Sequence, residues 1–310
     1  MRLQTQIKRI QKLFLSMQLL LLPVLAQENV NEKYNLQNLD GTYLGQNSPG
    51  KIPEVFAPNI LNYENGYHGT IVFSPDRTEA YWTPMAGGWG EVRFSKFINN
   101  SWSVPKKVQF GLNSAVSEPT FSPDGKKIYF LSTEPIKQET KKRRRIWFCK
   151  KSTEGWSKAA LVSENVNKHP THWSFSIAGN GNLYFTSEIN EELSKQDIYM
   201  SGYNGKSYSD PIPISSKINT SQSDHTPYIA PDESYLIFTR GNSNKSDLYV
   251  SFKTKDNDWS EAKNLGSIIN IGKHNVAPKV SPDGKYLFYL SYKTGDKFRI
   301  YWVDINVIYD

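Results

Sequence analysis

Cysteine, methionine and histidine are scarce in this chain of 310 residues, with one, four and five copies. A lone thiol cannot close an internal disulfide, so no disulfide framework holds the fold. Cys149 lies in the alternating run RIWFCKK, which predicts burial as a small hydrophobe. An oxidising compartment is therefore tolerated without being needed. Charge of one sign is also lacking in any concentrated form: 37 Lys and Arg face 30 Asp and Glu, a net charge of +7. That excess permits weak attraction to anionic glycans, nucleic acid or lipid headgroups. The basic residues are dispersed among acids, and no nucleic-acid partner is expected. The one true run, KKRRR at 141–145, reads as a solvated loop tip.

Long apolar runs are absent except near the start. There Arg2, Lys8, Arg9 and Lys12 precede LFLSMQLLLLPVLA, which is short for a membrane span and ends in Val-Leu-Ala before Gln27. Residues 1–26 thus read as a secretory signal peptide, residues 27–51 as a lead-in, and residues 52–310 as the folded domain. With no cysteine at the cut site, no lipid anchor is expected. The mature chain should be a monomer without a stable membrane anchor, in the periplasm or outside the cell.

Aromatics are plentiful, at 13% of the chain, which favours strands. They recur in a pattern: GTIVFSPDRTEAYW (69–82), SEPTFSPDGKKIYF (117–130), HWSFSIAGNGNLYF (172–185), HTPYIAPDESYLIF (225–238) and VAPKVSPDGKYLFY (276–289). A period of about fifty residues filled with short strands belongs to propeller blades or solenoids. In each copy an apolar run meets a Ser/Ala-Pro-Asp-Gly type turn and reverses into a second run, as a hairpin does. A third strand follows (EVRFSKF, RIWFCKK, DIYMSGY, DLYVSFK, RIYWVDI). Then a mark, Trp102-Ser103, Trp156-Ser157, Tyr208-Ser209 or Trp259-Ser260, opens a fourth strand ending near Asn113, Asn167, Asn219 or Asn270. Four strands per unit is a propeller blade. The fold class is all-β, a single propeller of five blades, with six as the alternative. The fifth copy has no fourth strand, and IPEVFAPNILN at 52–62 reads like the missing piece, closing the ring from the N-terminal side.

The repeated SPDGKKIYF and SPDGKYLFY, with the degenerate SPDRTEAYW and APDESYLIF, resemble the TolB-like propeller repeat over residues 52–310. The third copy departs most, with IAGNGN at its turn. The resemblance implies fold more than function, because such propellers serve as periplasmic binding components, as caps on serine peptidases and as a few polysaccharide lyases. The peptidases need a separate hydrolase domain with a Gly-x-Ser-x-Gly elbow, and that motif is missing here.

Candidate functional residues come from position. The innermost strands begin with Thr70, Glu118, Trp173, Thr226 and Ala277 in one column, so Glu118 is the acid of that column, with Asp224 just outside it. His68, His172, His225 and His274 precede or open the repeated window, and rotational equivalence carries them toward one mouth of the ring. Together with Glu118 they form a candidate ligand site. Imidazole and carboxylate suit a divalent metal, and His172 and His225, at the same window position, are the expected metal pair. Propeller lyases acting on oligogalacturonate are similar in using histidines around a metal. The turn residues Asp76, Asp124, Asp232 and Asp283 and the Trp-Ser marks read as structural. The expected role is a binding module for a glycan or protein partner. The alternative is a metal-assisted lyase or hydrolase on acidic oligosaccharides.

Overall fold

The structure is a computed structural model. It describes residues 41–310 apart from 59, 62–65, 67–68, 85–90, 137–142, 170, 189–194 and 294, with residues 171 and 172 known by their backbone alone. The expected signal peptide and His68 therefore lie outside the described residues.

Among the described residues the strands run from β1 (Glu54–Val55) to β22 (Arg299–Asp304). Unit one holds β2 (Val72–Phe73), β3 (Glu79–Trp82) and β4 (Arg93–Ile98), with β5 (Ser101–Trp102) and β6 (Lys106–Lys107) both paired to β4. Unit two holds β7 (Val116–Phe121), β8 (Lys127–Ser132) and β9 (Arg145–Ser152), with β10 (Gly155–Trp156) and β11 (Ala160–Leu161) on β9. Unit three is β12 (Thr171–Ile177), β13 (Leu183–Ser187), β14 (Asp197–Ser201) and β15 (Ile212–Pro213). Unit four is β16 (Ser223–Ile229), β17 (Tyr235–Gly241), β18 (Ser246–Phe252) and β19 (Lys263–Asn264). Unit five is β20 (His274–Val280), β21 (Tyr286–Tyr292) and β22 (Arg299–Asp304). Its fourth strand is β1, antiparallel to β22 with Glu54 opposite Trp302 and Val55 opposite Tyr301. The chain is a β-propeller.

The side chains explain why these short strands hold. In the turns, Ser74, Ser122 and Ser281 donate to Asp76, Asp124 and Asp283, while each serine oxygen accepts the N–H that opens the second strand. The aspartates of these turns are structural, as expected. The serines of the Trp-Ser marks behave alike: Ser103, Ser157, Ser209 and Ser260 accept from the N–H of Lys96, Lys150, Gly202 and Phe252, each at 3.0 Å. Asn167, Asn219 and Asn270 accept the N–H of Ile146, Ile198 and Leu248 at 2.9, 2.9 and 2.7 Å, satisfying the third strand where the two-residue fourth strand falls short.

Each seam between consecutive units buries its own apolar cluster. Tyr81, Phe110, Phe130 and Trp147 fill the seam of units one and two, and Phe175, Phe185 and Tyr129 that of two and three. Phe238 and Trp259 meet Tyr184 between units three and four, and Tyr289 and Tyr301 meet Ile237 between four and five. A fifth cluster, Phe56, Phe73, Phe288 and Trp302 with Tyr43 and Leu44, joins unit five to unit one. A buried aromatic of this kind contributes roughly 1.5–3 kcal/mol. The lead-in is thus part of the seam from Tyr43 onward. Cys149 is buried as expected, and burial pushes its thiol up to about 12.

Candidate functional site

The two ends of the ring differ. Connections from first to second strand are uniform, five residues each (74–78, 122–126, 178–182, 230–234 and 281–285). Connections from second to third strand emerge at the opposite end and vary: 83–92, 133–144 and 188–196 in units one to three, against 242–245 and 293–298 in units four and five. Uniform turns suit packing; long and unequal connections over one arc are where binding surfaces are built.

At that same end four of the inner strands carry a kink. The ladder register slips between Ser117 and Thr120, His172 and Phe175, His225 and Tyr228, and Val276 and Lys279. Within each slip one residue is left-handed: Glu118, Trp173, Thr226 and Ala277, with φ of 54°, 62°, 50° and 55°. Such a backbone costs an L-residue about 1–2 kcal/mol. Side chains of the preceding unit offset it where they are seen: Thr226 N–H donates to Thr186 Oγ1 at 2.9 Å, and Ala277 N–H to Thr226 Oγ1 at 3.2 Å. Four members of the expected column therefore share one conformation. Unit one is the correction. There Gly69, with φ of 78°, takes the left-handed place and not Thr70. The reason is steric, because a Cβ at Gly69 would collide with the Glu118 carboxylate.

Below this layer lies a residue that the sequence reading passed over. Lys279 of unit five is only 5% exposed; its ammonium reaches across to unit three and donates to the Phe175 carbonyl at 2.7 Å. Burial pulls its pKa down to about 8, and the Glu118 carboxylate works against that fall. Glu118 is itself buried. Arg144 stands on the other side, its pKa lowered by burial and again supported by Glu118. Its guanidinium lies 5.9 Å from the centre of the Trp173 ring, and Trp173 is 43% exposed. Arg145 is buried, so the end of the KKRRR run turns inward and is not a solvated tip. The pattern held one signal for Lys279: it occupies a window position filled by Val72, Thr120, Phe175 and Tyr228 elsewhere.

Asp224 is fully buried and committed to structure, accepting from Arg240 Nε at 2.6 Å and from the Thr220 N–H and hydroxyl. Burial raises its pKa. Backbone pairing places His172 opposite Thr186 and His225 opposite Thr239, equivalent positions in their units, as the repeat predicts. The His172 side chain lies outside the description, as does His68. His225 is pushed down to about 4 by burial and by the charge of His274. His274 Nδ1 is 3.0 Å from Ser246 Oγ. Among the described residues no three His, Cys, Asp or Glu gather as a metal centre.

No protein-family model matches the sequence, and no curated protein matches it. Solved structures do. TolB from Agrobacterium tumefaciens shares 14% identity over 77% of both chains with a TM-score of 0.53, and a thermostable family-43 glycoside hydrolase shares 13% over 82% of this chain and 90% of that one, at 0.50. TolB from Acinetobacter baumannii is 18% identical at a TM-score of 0.48, and this chain spans about half of its length, 51%. The likeness is one of fold. It supports the propeller read from the repeat and not the TolB repeat family in particular. No helix among the described residues is long and apolar enough to cross a membrane.

Proposed function

We propose that this protein is an exported binding module for an anionic glycan, held at the mouth of the ring over units two and three. The half-exposed ring of Trp173 beside the Arg144 guanidinium carries the reading. A flat indole suits the C–H face of a sugar, and a guanidinium attracts a carboxylate or sulfate. The left-handed backbone at Trp173 fixes that indole on a rigid inner strand instead of a loop.

Titration calorimetry of the mature chain with acidic and matched neutral oligosaccharides tests the proposal. Trp173→Ala should weaken acidic-glycan binding at least tenfold, and Arg144→Gln should remove the preference for the acidic ligand. Equal affinity for both ligands in the unmodified protein, or an unchanged Trp173→Ala, would reject the proposal. A second reading, turnover of an acidic oligosaccharide, is favoured by the buried Glu118 and Lys279, a carboxyl and an amine whose pKa burial lowers to about 8. Release of new sugar ends, lost in Lys279→Met, would support it.

A further inference from the structure

We infer that unit five carries a second subsite for the acidic glycan at the same mouth of the ring, with Tyr292 and Phe298 as its floor and Lys273, Lys293 and Lys297 as its charged rim. The inference rests on the glycan reading above and extends it: the ligand is a chain with more than one acidic sugar, held at two places.

Tyr292 ends β21, and Phe298 closes the connection that leaves it at the same end of the ring as Trp173. Their ring centroids are 5.4 Å apart, and the His274 ring lies 6.1 Å from that of Tyr292. All three side chains are partly exposed. Phe298 also packs against the buried cluster that joins unit five to unit one, so the floor is anchored. Half-exposed rings gathered in this way offer an apolar face with a polar edge, as a sugar does. The backbone around them is pinned. Lys273 N–H donates to the Tyr292 carbonyl at 2.8 Å, and the Lys273 carbonyl accepts from Ser246 N–H at 3.1 Å. Asn275 holds Gly272 from both sides, its Oδ1 accepting at 3.1 Å and its Nδ2 donating at 2.9 Å.

Charge names the occupant. Lys273, Lys293 and Lys297 are exposed and join no ion pair among the described residues. The acids beside them are engaged elsewhere: Asp296 accepts from Arg299 Nε at 3.1 Å and from the Lys297 N–H at 2.8 Å, and Asp247 pairs with Lys245 at 2.9 Å. Lys245, Lys273, Lys293, Lys297 and Arg299 thus outnumber Asp247 and Asp296, and a surplus of one sign around an aromatic floor suits an anionic ligand. The two subsites are also close. Lys279 of β20 spans the channel to the Phe175 carbonyl of β12 with one side chain, so the inner strands that lead to His274 and to Trp173 stand within reach of a short sugar chain.

An alginate disaccharide and an alginate octasaccharide are titrated into the full mature chain by calorimetry. The octasaccharide should bind more tightly, because a chain held at one subsite meets the other at high effective concentration. The ratio of the two affinities should fall about tenfold in Tyr292→Ala, and likewise in a variant combining Lys273→Gln, Lys293→Gln and Lys297→Gln. Tyr292→Leu, which keeps bulk and loses the flat ring, takes the place of Tyr292→Ala if that variant fails to fold. A ratio indifferent to the Tyr292 variants, even where the lysine variant lowers it, would overturn the subsite and leave diffuse attraction alone. Trp173→Ala separates this inference from the reading beneath it. Octasaccharide binding lost in Trp173→Ala but untouched at Tyr292 rejects the second subsite only, and an unmodified protein that binds no acidic glycan rejects both.

Discussion

Arg77 of unit one reaches Asp283 of unit five with Nη1–Oδ2 at 2.9 Å, and Tyr43 donates to the other oxygen of that carboxylate at 2.8 Å. One turn aspartate thus ties both ends of the described chain together. Arg77 stands, with φ of 60°, where other turns place glycine, and Glu233 does the same in unit four, accepting from Asn180, Asn182 and Tyr184 of unit three. The degenerate repeats are those whose left-handed residue bridges to a neighbour.

Asp283 should mark the acid limit of the fold. Burial raises its pKa, but hydrogen bonds from Ser281, Tyr43 and the Lys285 N–H, with Arg77, pull harder, and the net shift is downward. A depressed folded pKa means stability present above the unfolded value and lost as pH falls through the folded one. Thermal melts from pH 6 to below 3.8, the ordinary Asp value, should therefore converge for wild type and Asp283→Asn at the acid end. Near neutrality Asp283→Asn should be less stable by about 1–2 kcal/mol. A constant difference across the range would show that Asp283 does not hold the seam through its charge.

Ring closure by β1 predicts a large penalty at Phe56, which is fully buried among Phe73, Phe288 and Trp302. Phe56→Ala should cost about 3–5 kcal/mol in denaturant unfolding. A chain starting at residue 63 should aggregate, because removing β1 leaves β22 as an unpaired edge. A monomeric truncation with an unchanged melting temperature would contradict closure.

Lys279 should give an alkaline signature. Its folded pKa, about 8, lies below the ordinary 10.5, so between those values the unfolded chain holds the proton more tightly and stability rises with pH. The swing amounts to about 3 kcal/mol. Lys279→Met should flatten the rise in urea titrations run between the two values. A wild-type curve that falls over this window would mean that the amine is solvated.

The mature chain should begin at Gln27, following the basic and apolar segment and Val-Leu-Ala. Mass spectrometry of the exported protein measures this directly, and an intact Met1 terminus on membrane-bound protein would reverse it.

The fold was legible because its determinants are local. Each turn serine and aspartate bonds within five residues, and each Trp-Ser mark bonds to the strand just before it, so the sequence alone determined hairpins, repeat length and the need for a closing strand. The candidate site was legible only in part. Glu118 was named from its column, Trp173 stood in that column without being named a candidate, and the equivalence of His172 and His225 survived in the backbone pairing. Tertiary structure alone decided the rest. Lys279 meets Phe175 more than a hundred residues away, Arg144 turns from a basic run onto Trp173, and Gly69 yields its place to the Glu118 carboxylate. The first of these contacts crosses the ring, and the other two join neighbouring units. Burial, which lowers the pKa of Lys279 and Arg144, is set by the sum of such contacts and not by the residues flanking each lysine or arginine.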